Sequence, residues 1–278
     1  MSAPETQPLV AVYEHPDLPH RALPAALAAL YGGDLDFPER CVCANFVSSI
    51  DGVATLGPAY PSSGSAISGR SPADRFVMGL VRSCAHAVVV GAGALRRAPA
   101  HYRWSPEDAY PAASAEFAAL RQSRKLPGDG PELVVVTASG DLPADHEALT
   151  APSVIATTAA GAAQLSGRVP ATCTVLSLGD GAGVRPRVLI EALRERGHSV
   201  ILSEAGPRLA GQLVDDDLLD ELFLTVSPVL AGRDHAARDG LIAGLELLPE
   251  RRDTAELVSA RHQASYLFLR YRFPTDRH

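Results

Sequence analysis

Three short segments of the chain hold residue types whose spacing could do chemistry. The first is Ser203-Glu204-Ala205-Gly206-Pro207-Arg208-Leu209, set between an apolar run and a helical pattern. Free backbone N–H groups at a helix start attract anions, so a glycine turn of this kind can cradle a phosphate. Gly206 supplies the tight turn, and Pro207 loses nothing at the first helical position, where an N–H would have no partner. Glu204, however, stands two residues before the glycine, where a carboxylate would repel the same anion. The second segment is Val88-Val89-Val90-Gly91-Ala92-Gly93. Its paired glycines let a ligand approach the backbone, although Gly-x-Gly without a third glycine is a weak dinucleotide signature. The third is Asn45-Phe46-Val47-Ser48-Ser49-Ile50-Asp51-Gly52. Strand alternation puts Asn45, Val47 and Ser49 on one face, and Asp51 emerges at the turn. Each segment also has an ordinary reading: a tight strand–helix turn, a plain helix start, or an Asp-Gly turn whose carboxylate bonds its own backbone.

Other chemistries lack their residues. There is no nucleophile elbow, no His-Glu-x-x-His and no P-loop lysine. Cys41 and Cys43 lie two apart in a strand pattern, but no second pair completes a zinc set, so Cys41, Cys43, Cys84 and Cys173 read as buried reduced thiols and no metal is expected.

The elements that must position these segments alternate along the chain. Strand patterns cover Cys41–Ser48, Ala87–Val90, Leu133–Thr137, Val154–Thr157, Thr174–Leu178, His198–Ser203 and Glu221–Ser227. A helix starts at Ser71, with Ser71 as cap, Pro72 in the first position and Asp74 in the first turn. Its apolar stripe is Phe76, Val77, Leu80, Val81 and Cys84, with Arg82 beside it. Further helices are expected at Leu23–Tyr31, in the excursion 105–130, at Arg187–Arg196 and at Pro207–Val214, while 57–71 reads as a loop of small residues. Glu256–Arg261 and Ser265–Phe273 form a terminal antiparallel pair. The alternation predicts an α/β fold, a mostly parallel sheet covered on both faces. Residues 1–38 read as an N-terminal extension wrapped on one domain, 39–278.

Composition narrows the partners. The chain has 278 residues, 46% apolar and 21% charged, ordinary values for a folded domain. Its 25 basic and 32 acidic residues leave a net charge of −7, which argues against a nucleic-acid surface. The opening residues MSAPETQPLV lack the pattern of a secretory signal, and no run reaches the ~20 apolar residues of a membrane span. A cytoplasmic protein without a membrane partner is expected.

In order and register, the three segments resemble the pyrimidine reductase family, the reductase domain of riboflavin biosynthesis. The family's S-L-D-G is matched by Ser49-Ile50-Asp51-Gly52, and its L-R-A followed by a strand and G-x-G/T-V by Leu80-Val81-Arg82 and Val88 to Leu95. Its E-G-G-P-x-L is matched by Glu204-Ala205-Gly206-Pro207-Arg208-Leu209, and its L-V-D-E-L…P-x-L-x-G by Leu218 to Leu222 and Pro228 to Gly232. The resemblance covers roughly residues 40–273 and implies a dihydrofolate-reductase-like fold, a three-layer α/β/α arrangement with a C-terminal antiparallel hairpin. It further implies NADPH-dependent reduction of the ribosyl group of 5-amino-6-(5-phosphoribosylamino)uracil to ribityl, with hydride passing to the sugar C1 through the ring-opened imine.

Carried over residue by residue, the resemblance places Gly206, Pro207, Arg208 and Leu209 at the cofactor diphosphate, with Gly91, Gly93 and Ala94 lining the cofactor. Thr137 or Ser139 would reach its adenosine end. Asp51 would stand at the reacting centre, orienting substrate or helping proton transfer. Asn45 and Glu204 would meet the substrate and Arg82 its phosphate, with Arg70 and Arg75 as further candidates for the phosphate. Glu204 and Gly206 then serve two neighbouring ligands, which removes the conflict between carboxylate and cradle. A homodimer is also implied, with the Glu256–Phe273 strands as a possible interface. The chain departs from the pattern at Ala94, where the family usually has Thr, at Ala205, where it has Gly, and within Arg96-Arg97-Ala98-Pro99, where it has an acid. The zinc pattern of the companion deaminase is absent. Two other readings stay open: a fold-related reductase of another heterocycle, such as a pterin or a secondary-metabolite precursor, and a nucleotide-binding protein without catalysis.

Overall fold

A computed structural model describes residues 6–57, 60, 62–233 and 238–274. Among these, ten strands form one sheet: β1 (Val10–Glu14), β2 (Cys41–Ser49), β3 (Ala87–Gly91), β4 (Glu132–Val136), β5 (Ser153–Thr157), β6 (Cys173–Ser177), β7 (Val200–Ser203), β8 (Glu221–Ser227), β9 (Glu256–Gln263) and β10 (Tyr266–Arg272). Their spatial order is β1-β9-β10-β8-β2-β7-β3-β4-β5-β6. The run from β8 to β6 is parallel, and β10, β9 and β1 add antiparallel strands at one edge. The helices are α1 (Ala25–Tyr31), α2 (Ser63–Ile67), α3 (Pro72–Cys84), α4 (Ala92–Arg97), α5 (Pro106–Ala109), α6 (Ser114–Ser123), α7 (Ala159–Leu165), α8 (Pro186–Glu195) and α9 (Pro207–Asp215).

Strand alternation divides the core into two layers. Cys41, Cys43, Val88, Val90 and Leu202 pack on one face against Phe76, Val77, Leu80 and Val81 of α3. Val42, Ala44, Ala87, Val89 and Ile201 pack on the other against Leu189, Leu193, Leu213 and Val214 of α8 and α9. The three-layer α/β/α reading with a terminal hairpin is therefore what the chain adopts. The four cysteines are free, and three of them, Cys41, Cys43 and Cys84, are buried. No helix among the described residues is long and apolar enough to cross a membrane.

Helices α4 and α7 form where the sequence reading placed no helix, and two further elements depart from it. The segment Val10–Glu14, within the expected extension, is the edge strand β1, paired with β9. Leu9, Leu27, Tyr31 and Phe37 from the same region join the α3-side core. Helix α2 forms inside the small-residue stretch 57–71, of which residues 58, 59 and 61 lie outside the described residues; Ser62 caps it by accepting the Ser65 N–H.

Arg121 of α6 fixes the end of α3. Its guanidinium, buried, donates to the carbonyls of Arg82, Ser83 and Ala85 and to those of Pro127, Gly128 and Gly130. A cation at a helix C-terminus satisfies carbonyls that have no intrahelical partner. It also holds in place the backbone from which Arg82 projects.

Candidate active site

The site is a notch in the sheet. Strand β7 is four residues long and ends at Ser203. Its neighbour β2 pairs with it only from Cys41 to Ala44, and β3 only from Ala87 to Val89. Both neighbours run on past that point, so a gap opens between them at the carboxyl ends of the strands, where open α/β sheets bind ligands. Glu204 stands at the base of this gap, its N–H donating to the Val89 carbonyl at 2.9 Å.

Glu204 and Arg82 face each other there. Arg82 Nε donates to one carboxylate oxygen at 2.8 Å and Nη2 to the other at 2.6 Å, a bidentate pair. Arg82 Nη1 donates to the Tyr102 hydroxyl at 2.9 Å and to the Ser105 carbonyl at 3.1 Å. The arginine side chain is 1% exposed and the glutamate 10%. Burial by itself lowers the arginine pKa, but the Glu204 carboxylate and Tyr102 outweigh it and raise the group further, so the cation is permanent. The phosphate contact expected of Arg82 thus finds its guanidinium engaged through four hydrogen bonds. What the arrangement provides is a carboxylate locked in one orientation.

Asp74 lies one helical line away, since residues 74, 78 and 82 share a stripe of α3. Burial pushes its carboxyl up to about 6, against hydrogen bonds from Thr225 and Ser68 and the Arg75 charge, which lower it, while Glu204 raises it further. A carboxyl near 6 can exchange a proton at neutral pH. In the sequence an Asp in a first helical turn reads only as a helix start; nothing local signals this acidity.

Asp51 is held differently. Its carboxylate accepts from the Ser49 hydroxyl at 2.6 Å and from the N–H groups of Ala231 and Gly232 at 3.0 and 2.7 Å. The Ser49 and backbone donors bring it down to about 2. A carboxylate so weakly basic is a poor proton carrier at neutral pH; it ties the β2 turn to the segment after β8. Asp51→Ala should speed amide exchange at Ala231 and Gly232, read by NMR, and leave distant amides unchanged. Because the pKa is depressed, wild-type protection should persist above about pH 4 and fade as pH falls towards 2. Unchanged exchange at those two amides would refute the tie.

The residues expected to hold a cofactor differ in how far they are exposed. Gly206 is the N-cap of α9 and Gly91 that of α4, and neither gives a side-chain cap, whereas α7, after β5, is capped by Thr158. A Cβ built on Gly206 or on Gly91 would meet nothing within 4 Å, so open space lies beside both backbones. Gly206 and Arg208 are exposed, Pro207 is half-buried with its carbonyl accepting the Ala243 N–H, and Leu209 packs into the core on the α8–α9 side. Ala94 packs against the α3-side core. Thr137 is buried and its hydroxyl accepts the Gly140 N–H at 3.2 Å, so its oxygen serves its own turn. Ser139 in that turn is exposed. Asn45 is half-buried on β2, on the strand face that carries Cys41 and Cys43.

A mostly parallel sheet, notched at its strand ends and flanked by two uncapped helix starts, defines a dihydrofolate-reductase-like α/β protein. The chain belongs to the RibD C-terminal domain family, whose profile matches residues 40–250. A pyrimidine reductase-like protein from Corynebacterium diphtheriae superposes with a TM-score of 0.63 at 20% identity, over 90% of this chain and 99% of that one. RibD from Acinetobacter baumannii gives 0.61 at 17% identity, over 89% of this chain. The diaminohydroxyphosphoribosylaminopyrimidine deaminase/5-amino-6-(5-phosphoribosylamino)uracil reductase from Thermotoga maritima gives 0.59 at 17% identity, over 85% of this chain. The chain spans 60% of the Acinetobacter protein and 57% of the Thermotoga one. No curated protein sequence matches it significantly.

Proposed function

We propose that the chain is an NADPH-dependent reductase of the riboflavin-biosynthesis type, converting the ribosyl group of 5-amino-6-(5-phosphoribosylamino)uracil to ribityl. The observation that carries this reading is the Glu204 carboxylate, locked by Arg82 two residues before the open start of α9. The same strand end thus offers an anionic hydrogen-bond acceptor to one ligand and backbone donors to another. Gly206 to Leu209 would hold the cofactor diphosphate, Gly91 and Gly93 would line it, and Ser139 would meet the adenosine end. The bound nicotinamide supplies a hydride, and the protein supplies alignment and electrostatics.

On the α3 face, Glu204 accepts hydrogen bonds from the N–H edge of a pyrimidine, and Asn45 can add donor and acceptor beside it. Arg82 is assigned the orienting of Glu204, and Arg70 and Arg75 remain the candidates for the substrate phosphate. Asp74 is assigned the proton that must reach the ribose ring oxygen when the C1–O bond opens. Asp51 is assigned to shape the rim. A homodimer and a cytoplasmic location belong to the same reading; the exposed Val10 and Val12 on β1 and Leu267 on β10 support an association surface at that edge.

The test is oxidation of NADPH by the purified protein with the phosphoribosylaminouracil and, separately, with dihydrofolate. Turnover with the first alone is the expected result. Turnover with dihydrofolate alone would favour another heterocycle as substrate. Turnover with neither would favour nucleotide binding without catalysis.

A further inference from the structure

Trp104 holds a backbone conformation that its side chain disfavours. Its φ is +58°, in the left-handed region, where a bulky residue is a steric outlier. The residue is nonetheless buried in the α3-side core, 5% exposed. Its indole meets the Tyr102 ring edge-on, with centroids 5.0 Å apart at 81°, and the His146 ring centroid lies 6.1 Å away. Strain of this kind persists only where the surroundings over-determine the backbone, and it concentrates at functional sites.

The segment around Trp104 is a strap pinned at both ends. The Tyr102 N–H donates to the Pro99 carbonyl at 2.9 Å. The Arg103 and Ser105 N–H groups both donate to Asp108 Oδ2, at 2.8 and 3.0 Å. The Ser105 hydroxyl accepts the Asp108 N–H at 3.1 Å, which completes a capping box at the start of α5. Gly79, one turn before Arg82 on α3, admits α5 against that helix: a Cβ there would stand 3.0 Å from the Pro106 carbonyl oxygen. The left-handed residue reverses the chain, so that the Tyr102 hydroxyl and the Ser105 carbonyl converge on one atom, Arg82 Nη1. Burial, above all, raises the Tyr102 pKa, so the phenol accepts that bond as a neutral group.

We propose that Tyr102 and Trp104 are positioning residues: the strained Trp104 seats Tyr102 on Arg82, and Arg82 thereby sets the direction in which Glu204 presents its carboxylate to substrate. The inference rests on the role assigned to Glu204 above and deepens it. A guanidinium is planar, so acceptors that fix Nη1 also fix the plane in which Nε and Nη2 hold the carboxylate. Without the phenol, Nη1 keeps the Ser105 carbonyl alone and the plane is free to tilt. A tilt swings both Glu204 oxygens away from the N–H groups they are to accept. Without the indole, Tyr102 loses its edge contact and the strap loses the burial that outweighs the strain at residue 104.

Two measurements on the full chain test this. The first, exchange of the Arg82 Nε–H with solvent read by NMR, needs no substrate. Tyr102→Phe keeps the ring and removes only the hydroxyl, and it should speed that exchange about tenfold. Trp104→Gly should do the same, although glycine adopts this φ without strain, and Trp104→Phe should restore most of the protection. Should the glycine variant not fold, Tyr102→Phe carries the test. The second measurement is the kinetics of NADPH oxidation with the phosphoribosylaminouracil. Tyr102→Phe should raise KM for the pyrimidine about tenfold, with kcat changed less and Kd for NADPH unchanged. Because Tyr102 acts through Glu204, adding Tyr102→Phe to Glu204→Gln should change KM by less than about twofold. Unchanged Nε–H exchange in Tyr102→Phe overturns the proposal. A KM effect that adds in full to that of Glu204→Gln also overturns it, by making Tyr102 a substrate contact. If wild type oxidises no NADPH with the pyrimidine, the reductase reading alone falls, and the exchange measurement still upholds or overturns the seating of Arg82.

Discussion

Arg82→Ala is expected to destabilise the protein by about 3–5 kcal/mol, because it strands the buried Glu204 carboxylate. Against a typical total of about 5–15 kcal/mol, that loss could unfold much of the protein at physiological temperature. Urea denaturation at pH 7 measures it. Arg82→Lys should rescue little, since an ammonium cannot make the bidentate contact and still reach Tyr102 and Ser105. Glu204→Gln should cost less, as the amide oxygen retains one hydrogen bond, but it leaves the arginine cation uncompensated. Arg82→Met combined with Glu204→Gln removes both charges and should be more stable than Arg82→Ala. This pair of measurements separates folding from function. If the role assigned to Glu204 is right, the stable double variant still binds NADPH but no longer the pyrimidine. A double variant that keeps normal substrate affinity would make the pair purely structural.

Asp74→Asn should do the opposite to stability. A carboxyl raised from 3.8 to about 6 binds its proton more tightly folded than unfolded. The native state therefore loses stability as pH rises between about 4 and 6, by about 3 kcal/mol if the full shift is realised. Below that window both states are protonated and the penalty is absent. Asparagine cannot ionise, so the variant should be more stable than wild type at pH 7–8, by about 2 kcal/mol once the lost charge–helix attraction is subtracted. The two proteins should converge near pH 3.5. An equal stability difference at both pH values would refute the shifted acid. If Asp74 also delivers the proton, kcat/KM of wild type should fall as pH rises through about 6, and the variant should lose both that limb and about 10²–10⁴ in rate. A limb that survives the substitution would place the proton on another group.

These two expectations mark how far the sequence could be read. Its alternating apolar runs, broken by glycine and proline, placed the strands β2 to β8 and the hairpin β9–β10 with small errors at the ends. Ser71, Pro72 and Asp74 marked the start of α3 for a local reason, the geometry of a first helical turn. The strand β1 was not legible, because its side chains are exposed and it is held by backbone pairing with β9, which leaves no periodic trace. Nor was α2, whose residues Ser63-Gly64-Ser65-Ala66-Ile67 are poor helix formers and are held by a cap and by packing near Val47.

The site divides along the same line. Gly91, Gly206 and the acid before the cradle could be named from the chain, since each belongs to a single strand–helix turn. The bond between Arg82 and Glu204 joins residues 122 positions apart, and only the packing of α3 over the notch beside β7 makes it. Asp74 owes its raised pKa to burial and to the nearby Glu204, and Asp51 its low one to Ser49 and to amides about 180 residues along the chain. Periodicity and turn chemistry are properties of neighbours in sequence, so they specify the elements. Charge, acidity and orientation depend on distance and desolvation between elements, and those are fixed only when the sheet closes around the notch.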